Sequence, residues 1–417
     1  MWNRRFIFLW GGQTLANLGD VFYLVAFISA VYAVTDSVMY TSLIPVINLT
    51  AQSAGALTAP FVFRRLSLPQ MLVVSQGSKT LFLAAAVLVV PLAEDRGPQL
   101  VSALLAVGAA IAFMDGWSNP ARNSLVPQVV PRSELMRANG LLATSDQTAF
   151  FAGWALGGVL VAWIGSGLVI AGTVAAYVVS TLAMLGVAPD EDRERAQPKA
   201  EAGNTSFLIG WRFIRTNPKV RFVVTVDAVI GLANAVWIAA IMLPFAVQEL
   251  EKGEEWWGYI NAGYLLGAII GGLLLLAKAQ RMQKHLPHWI MAGIIGSAVV
   301  TVGFGSSTHP LLALFFSFAL GPLYEVHAIS KQTLLQQATP EERLPYVLSA
   351  KGAIDAMVFG ISALLMGALA EWLGTRTVYF LSAGILCVAV LFAWHFRRLQ
   401  HQHTECEYSS YGSNDHV

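Results

Sequence analysis

The sequence of 417 residues is poor in charge: Asp, Glu, Lys and Arg together make up 12% of it. Soluble domains carry about 25% charged residues, so the composition argues against both a soluble domain and a disordered chain. The charges nearly cancel, with a formal net charge of +1. A chain with so little excess charge has no strong field to attract nucleic acid, and we expect no nucleic-acid partner.

The sequence also lacks the motifs of several chemical functions. Its two cysteines, Cys387 and Cys406, are too few for a disulfide framework or a zinc site. It contains no phosphate-binding loop with its lysine and no nucleophile elbow. We therefore expect no enzyme, no bound cofactor and no metal site.

Apolar residues are abundant, at 56% of the chain, and the mean hydropathy is +0.59. They fall into twelve runs, each long enough to cross the hydrocarbon core of a bilayer as a helix, which needs about 20 residues. Lipid offers no hydrogen-bond partner to an open backbone, so the spans must be helical. The predicted spans are 6–33, 39–62, 70–92, 99–119, 138–164, 167–188, 220–247, 256–277, 289–307, 310–330, 346–370 and 376–396.

The distribution of Lys and Arg supports this count. With the N-terminus placed inside, 21 of these residues fall on the cytoplasmic side, 3 fall outside, and Lys79 and Lys351 lie within spans. This bias follows the positive-inside rule. It predicts a multi-pass protein of the plasma (bacterial inner) membrane with both termini in the cytoplasm.

The sequence contains an internal duplication. When it is shifted by 209 residues, 10 of the 44 positions from Arg122 to Gly165 match their counterparts from Lys331 to Gly374. The matches include Pro, Asp and Trp, which apolar helices seldom share by chance. The duplication predicts two pseudo-symmetric six-helix bundles at 1–188 and 219–398. A cytoplasmic linker at 189–218 with an amphipathic helix joins them, and a cytoplasmic tail occupies 399–417.

Three segments resemble the major facilitator superfamily, and more narrowly its drug/proton antiporter branch with macrolide-efflux and enterobactin-exporter proteins. They are 8–20 in the first span, 119–140 around the junction of the fourth and fifth spans, and 210–218 in the central loop. The resemblance implies export of an amphipathic small molecule in exchange for protons. Trp154 stands where such antiporters often have a proline.

Asp20 is the first candidate for proton coupling. It lies near the middle of the first span, where a charged side chain is costly unless it faces the bundle interior or water. Gln13 and Asn17 share its helical face at spacings of four and three residues, which suits the wall of a substrate cavity. Asp20 is either a protonatable site or a structural hydrogen-bond hub between helices.

Glu325 is the second coupling candidate, and His327, two residues later, is a candidate for substrate contact because imidazole titrates near neutral pH. Other polar and aromatic residues in the spans are candidates for the cavity wall, although packing explains a single aromatic equally well. These candidates are Asn48, Gln52, Asn234, Trp237, Asn261 and Tyr264.

The remaining charges in or near the spans are expected to act in gating or structure. Asp146 and Asp355 are equivalent in the duplication, and Arg122 and Lys331 are their candidate basic partners. Lys351 lies four residues before Asp355, so these two can pair on one helical face. Asp115, at the predicted inner end of the fourth span, is assigned to the same inner group, and Asp227 to an inner gate. The sequence names no partner for Lys79.

Together these observations predict a monomeric secondary transporter that binds a small molecule and protons within the bilayer. Three alternatives stay open. One is a carrier of another class, for a metal ion, a metabolite or a lysolipid, by uniport or symport. The second is a channel, which would transport without alternating access, and the third is a membrane sensor that does not transport.

Overall fold

The computed structural model describes residues 2–89, 97–187, 206–237 and 239–411, and within these ranges the chain is helical, with no strand. The charged part of the predicted linker and the last six residues of the predicted tail lie outside the described residues. The helices are α1 Arg4–Thr35, α2 Val38–Val62, α3 Leu68–Val89, α4 Gly97–Val129, α5 Leu135–Leu185, α6 Ser206–Thr216, α7 Pro218–Asn234, α8 Ala239–Pro244, α9 Glu255–Met282, α10 Leu286–Gly305, α11 Pro310–Ala338, α12 Leu344–Leu373 and α13 Thr375–Tyr411.

Each of the twelve predicted spans overlaps one or more of these helices within the described residues, and the all-helical membrane architecture is confirmed. Within the described ranges, eight helical stretches are long and apolar enough to cross a membrane. Two of these stretches, Arg132–Leu185 and Glu255–Gly305, are 54 and 51 residues long, so each contains two of the predicted spans. The seventh predicted span combines α7, α8 and a π-helical turn at Phe245–Glu249. The amphipathic helix predicted in the linker is α6.

The backbone leaves helical geometry at Gly165 inside α5, so that α5 consists of two helical arms separated by a kink, one for each of two predicted spans. Gly165 has φ of 81°, and its repeat equivalent Gly374, between α12 and α13, has φ of 86°. Glycine adopts positive φ without the steric cost that other residues meet there. The preceding tryptophans, Trp163 and Trp372, are also alike, at 81% and 82% exposed. The two halves of the sequence thus share this turn, both in the backbone conformation of the glycine and in the exposed tryptophan before it.

Two helices run further than the sequence predicts. Asn119-Pro120 reads as the end of the fourth span, but α4 continues through Pro120 and Pro127 to Val129. Prolines are tolerated inside membrane helices because neighbouring groups satisfy the freed carbonyl. In the same way α11 continues past residue 330 to Ala338. Asp115 therefore lies near the middle of its helix.

Close crossings between helices are built on glycine in both halves of the sequence. A β-carbon at Gly116 of α4 would lie 2.2 Å from the carbonyl oxygen of Gln52 in α2, and one at Gly321 of α11 would lie 2.3 Å from the backbone nitrogen of Ala268 in α9. Small residues let membrane helices approach this closely. The backbones at both crossings leave no room for a larger side chain.

The chain forms two compact units. Unit 1 comprises Met1–Thr216 and Gln336–Ala356, and unit 2 comprises Asn217–Leu335 and Met357–Val417. Within unit 1, the buried amide of Gln336 donates to the carbonyl oxygen of Asn123 at 2.9 Å and accepts from the side chain of Asn139 at 2.7 Å. These bonds attach a segment from the second half of the sequence to helices of the first.

Candidate functional site: a buried charge cluster in unit 1

Lys79 of α3 joins two acids in the middle of unit 1. Its Nζ lies 2.6 Å from Oδ1 of Asp20 in α1 and 2.6 Å from Oδ1 of Asp115 in α4. The lysine side chain is fully buried. A buried ion destabilises a protein unless it is paired and hydrogen-bonded, and the two carboxylates supply both. Lys79, for which the sequence predicted no partner, thus bonds to acids on two other helices.

Two tyrosines complete this charge cluster of Asp20, Lys79 and Asp115. The hydroxyl of Tyr177, in the second arm of α5, donates to Oδ1 of Asp20. The Lys79 ammonium also lies 4.8 Å from the centre of the Tyr177 ring, within the range of a cation–π interaction. Tyr23 donates to Oδ1 of Asn48 at 3.3 Å, which brings one predicted cavity residue to the edge of the cluster.

The members of the cluster differ in exposure. The side chains of Asp20 and Asp115 are 23% and 13% exposed, whereas that of Lys79 is not exposed. The two carboxylates are thus partly uncovered, while the ammonium is enclosed by protein.

Tyr177 was not predicted, because a tyrosine in an apolar run is typical of a residue that only packs against neighbouring helices. A signal was nevertheless present. Thr173, Tyr177 and Ser180 recur at spacings of four and three residues, and all three are buried in α5. Such a polar row on one face of a span marks the face that meets other polar groups.

The polar stripe predicted on α1 serves two sites. Asp20 belongs to the charge cluster, while Gln13 donates to Asn17 at 2.9 Å and Asn17 donates to Asp146 of α5 at 2.5 Å. The guanidinium of Arg122 lies 3.0 Å from the same Asp146 carboxylate. The expected pairing of Arg122 with Asp146 is present, and α1 links it to the cluster.

Asp115 was predicted to lie near the inner end of the fourth span because that span was ended at residue 119. The structure places it 14 residues before Val129, the end of α4, or about 21 Å at the usual rise, and its partner is Lys79. Its role in gating or structure stays a prediction. The same helix bears Arg122 two turns later, where it meets Asp146.

In unit 2, Lys331 forms an ion pair with Asp227 of α7. It was expected to partner the acid of the twelfth helix, Asp355. That acid bonds to Lys351, 2.6 Å away on its own helix, as the spacing of four residues predicts. The expected partnership of Lys331 with Asp355 stays a prediction.

Glu325 and His327 are buried near the middle of α11, at 2% and 1% exposed. The His327 ring lies 5.0 Å from the ring of Tyr324, which in turn lies 6.2 Å from Tyr264 of α9. Unit 2 thus contains an aromatic and polar group at mid-helix. The roles of Glu325, His327 and Tyr264 in coupling or binding stay predictions.

The structure accounts for some other cavity candidates by packing. Trp237 lies in an aromatic cluster, with ring centres 4.7 Å from Phe304 and 5.4 Å from Tyr379. Asn261 donates to the carbonyl oxygen of Trp257 in its own helix at 2.9 Å. Gln52 and Asn234 are half-buried, and their part in a cavity stays a prediction.

Comparison with known proteins gives a consistent family. A family model described as Major Facilitator Superfamily matches residues 9–324 and 258–407. The chain is 31% identical over 388 residues to the uncharacterized MFS-type transporter YfmI of Bacillus subtilis, with 93% of this chain and 95% of the relative covered. It is 26% identical over 298 residues to the lysophospholipid transporter LplT of Cronobacter sakazakii, with coverage of 67% and 69%.

Solved structures show the same fold at low sequence identity. A bacterial homologue of the iron transporter ferroportin in an outward-facing state superimposes with a TM-score of 0.74 at 14% identity, covering 95% of this chain and all of that one. The human organic anion transporter MFSD10 gives 0.73 at 10% identity, with coverage of 94% and 99%. At these identities the likeness concerns the fold alone.

Proposed function

The chain belongs to the Major Facilitator Superfamily and is a multi-pass membrane transporter, and we propose that it exports an amphipathic small molecule in exchange for protons. Its place in the drug/proton antiporter branch, its orientation in the inner membrane and its monomeric state are parts of this proposal. So is the division into bundles 1–188 and 219–398 around the linker 189–218, with the tail 399–417.

The observation that carries the proposal is the bonding of Asp20. This carboxylate lies in the middle of α1, contacts Lys79 and Tyr177, and retains 23% exposure of its side chain. Protonation would remove its charge and weaken its bond to the ammonium of Lys79. A carboxylate that can bind either a proton or a cationic group of the substrate exchanges one for the other, which is the requirement of an antiporter.

Substrate binding is expected along the α1 stripe and its neighbours. Asn17 and Asn48 supply hydrogen bonds on either side of Asp20, and Tyr23 supplies an aromatic face. An amphipathic cation could place its charged group at Asp20 and its apolar part against aromatic rings. Glu325 is the second proposed coupling acid.

A second candidate function is transport of a single-chain lipid. An apolar recess of about 250 Å³ lies between α1 and both arms of α5, lined by residues that include Leu18, Phe22 and Leu160. Gly19, next to Asp20, also lines it. The recess could take part of an acyl chain while the head group reaches the cluster, and the similarity to LplT agrees with this reading.

The test is flux in proteoliposomes under an imposed pH gradient, with ethidium, erythromycin and lysophosphatidylethanolamine as probes. We expect gradient-driven flux of at least one of the first two probes. Asp20→Asn should reduce that flux to the level of protein-free vesicles, since an amide cannot bind the proton. Size-exclusion chromatography would verify that the variant is folded.

Asp36→Asn is the matched control. Asp36 is exposed, ends α1, and has φ of 46°, which asparagine tolerates well. This variant should retain the flux of the wild type. Undiminished flux in Asp20→Asn would remove Asp20 from the mechanism, and flux of the lysolipid alone would favour the second candidate function.

A further inference from the structure

We propose that Asp20, Lys79 and Asp115 bind protons as one unit whose net charge fixes the uptake at one proton per transport cycle, with Lys79 setting that number. The inference rests on the proposed proton coupling and deepens it. It replaces the idea of a single coupling acid with a count of charges in the cluster.

The geometry supports a shared site. Both carboxylates contact the same ammonium nitrogen at 2.6 Å. Two such contacts place the bonded oxygens at most about 5 Å apart, within the range where like charges disfavour each other's ionisation. Groups this strongly coupled titrate as a pair and not as separate residues. The proton therefore belongs to the cluster, whichever oxygen holds it.

The charge count follows from the same contacts. Two carboxylates against one ammonium leave a net charge of −1. Among the described residues, the other groups near the cluster include the phenols of Tyr23 and Tyr177, the hydroxyl of Ser118 beside Asp115 and, from α2, the amide of Asn48. Phenols ionise only in alkaline solution, so these groups contribute hydrogen bonds and no charge.

A second observation points to a ligand beside the cluster. Gln76 lies three residues before Lys79 on the same face of α3 and is fully buried. Among the described residues, neither atom of its amide finds a hydrogen-bond partner. A buried amide without partners is costly, and it offers both a donor and an acceptor to water or another proton carrier that approaches the cluster.

One proton makes the cluster neutral. An uncompensated buried charge is strongly disfavoured when water is excluded, so closure of the site around the cluster favours the protonated, neutral form. Without Lys79 the two acids would carry −2, and neutrality would require more than one proton. Without one acid, the remaining acid and Lys79 already balance, and neutrality would require none.

The test counts the protons bound by purified protein in detergent, by titration in weakly buffered solution with a pH indicator and by the infrared band of protonated carboxyl groups. Between about pH 5 and pH 9, Asp115→Asn should bind about one proton fewer than the wild type. The double variant Lys79→Met/Asp115→Asn leaves Asp20 as a lone buried acid and should bind as many protons as the wild type. Lys79→Met alone should bind more than the wild type.

The same test is repeated from the other acid with Asp20→Asn and Asp20→Asn/Lys79→Met, so that failure of one variant to fold does not end the experiment. The matched control is Lys351→Met/Asp355→Asn, which likewise removes one positive and one negative charge and should leave the count unchanged. The proposal is overturned if Asp115→Asn keeps the proton, or if removal of Lys79 does not restore it.

The result is independent of the flux assay. If the counts follow the charges but no probe moves under a pH gradient, the proposed export function is wrong and the shared proton site stands. If gradient-driven flux is present in the wild type and the double variants do not recover the proton, the charge count is wrong and the proposed function stands.

Discussion

Arg122 and Lys331 occupy equivalent positions in the sequence repeat, yet they bind acids on different helices. Within unit 1, Arg122 bonds to Asp146 of α5 at 3.0 Å. Within unit 2, Lys331 bonds to Asp227 of α7. The repeat therefore preserves a paired cation, and the acids of these two pairs lie on helices at different places in the two halves of the sequence.

The difference has a local cause. Asp355, the equivalent of Asp146, has Lys351 one helical turn before it, and the two lie 2.6 Å apart. At the position equivalent to Lys351, the first half has the apolar Leu142. Neighbours at a spacing of four residues on a helix meet without any tertiary requirement, so Asp355 has a basic partner on its own helix at a position where Asp146 has an apolar residue. A side chain one turn away thus adds an ion pair that the shared architecture does not specify.

The largest effect is expected from breaking the pair of unit 2. Lys331→Met should destabilise the protein by about 3 kcal/mol, because it breaks a largely buried ion pair with the carboxylate of Asp227, whose side chain is 14% exposed. Arg122→Met should cost less, because Asp146 is 30% exposed and still accepts from Asn17. The free energy of unfolding in mixed detergent, titrated with a denaturing detergent, measures both.

The rescue variant separates charge from packing. Lys331→Met/Asp227→Asn removes both charges of the pair and should recover most of the stability lost in Lys331→Met. A double variant as unstable as the single one would assign the loss to packing of the lysine stem, and equal losses for Arg122→Met and Lys331→Met would remove the contrast between the two halves.

The two halves share close helix crossings at glycine, and substitutions there test this shared feature. Gly116→Ala and Gly321→Ala should each cost about 1–3 kcal/mol, since the added methyl group would lie within 2.3 Å of backbone atoms of the neighbouring helix. Gly158→Ala is the control, because nothing lies within 4 Å of its added carbon. Unequal losses at Gly116 and Gly321, measured as above, would show that the crossings have diverged as the ion pairs have.

The sequence predicted the architecture well because each part of it has a local signal. Apolar length gave the spans, and the repeated Gly165 and Gly374 are found at positive φ in equivalent turns. Helix ends were less certain: Asn119-Pro120 resembles a stop signal, but α4 continues through it. A proline shows that a backbone donor is absent and does not show whether neighbouring groups compensate.

The candidate site was only partly predictable for a related reason. Asp20 could be chosen from its burial in a span and its polar stripe. Its partners Lys79, Asp115 and Tyr177 are separated from it by 59 to 157 residues, and no periodicity connects them. Contacts within a helix, such as Lys351 with Asp355, follow from spacing alone. Contacts between helices depend on how the helices rotate and cross.

The smallest effect on stability is expected at the two exposed tryptophans that the repeat shares. Trp163 and Trp372 precede the two glycine turns and are 81% and 82% exposed. Their indole rings bury little surface against the protein, so Trp163→Ala and Trp372→Ala should each change the free energy of unfolding in detergent by less than about 0.5 kcal/mol. In a bilayer, however, an indole near the membrane interface contributes to anchoring. Loss of membrane-inserted protein in cells, with unchanged stability in detergent, would indicate that the repeat conserves these residues for their contact with lipid; a large loss of stability in detergent would contradict their exposed position.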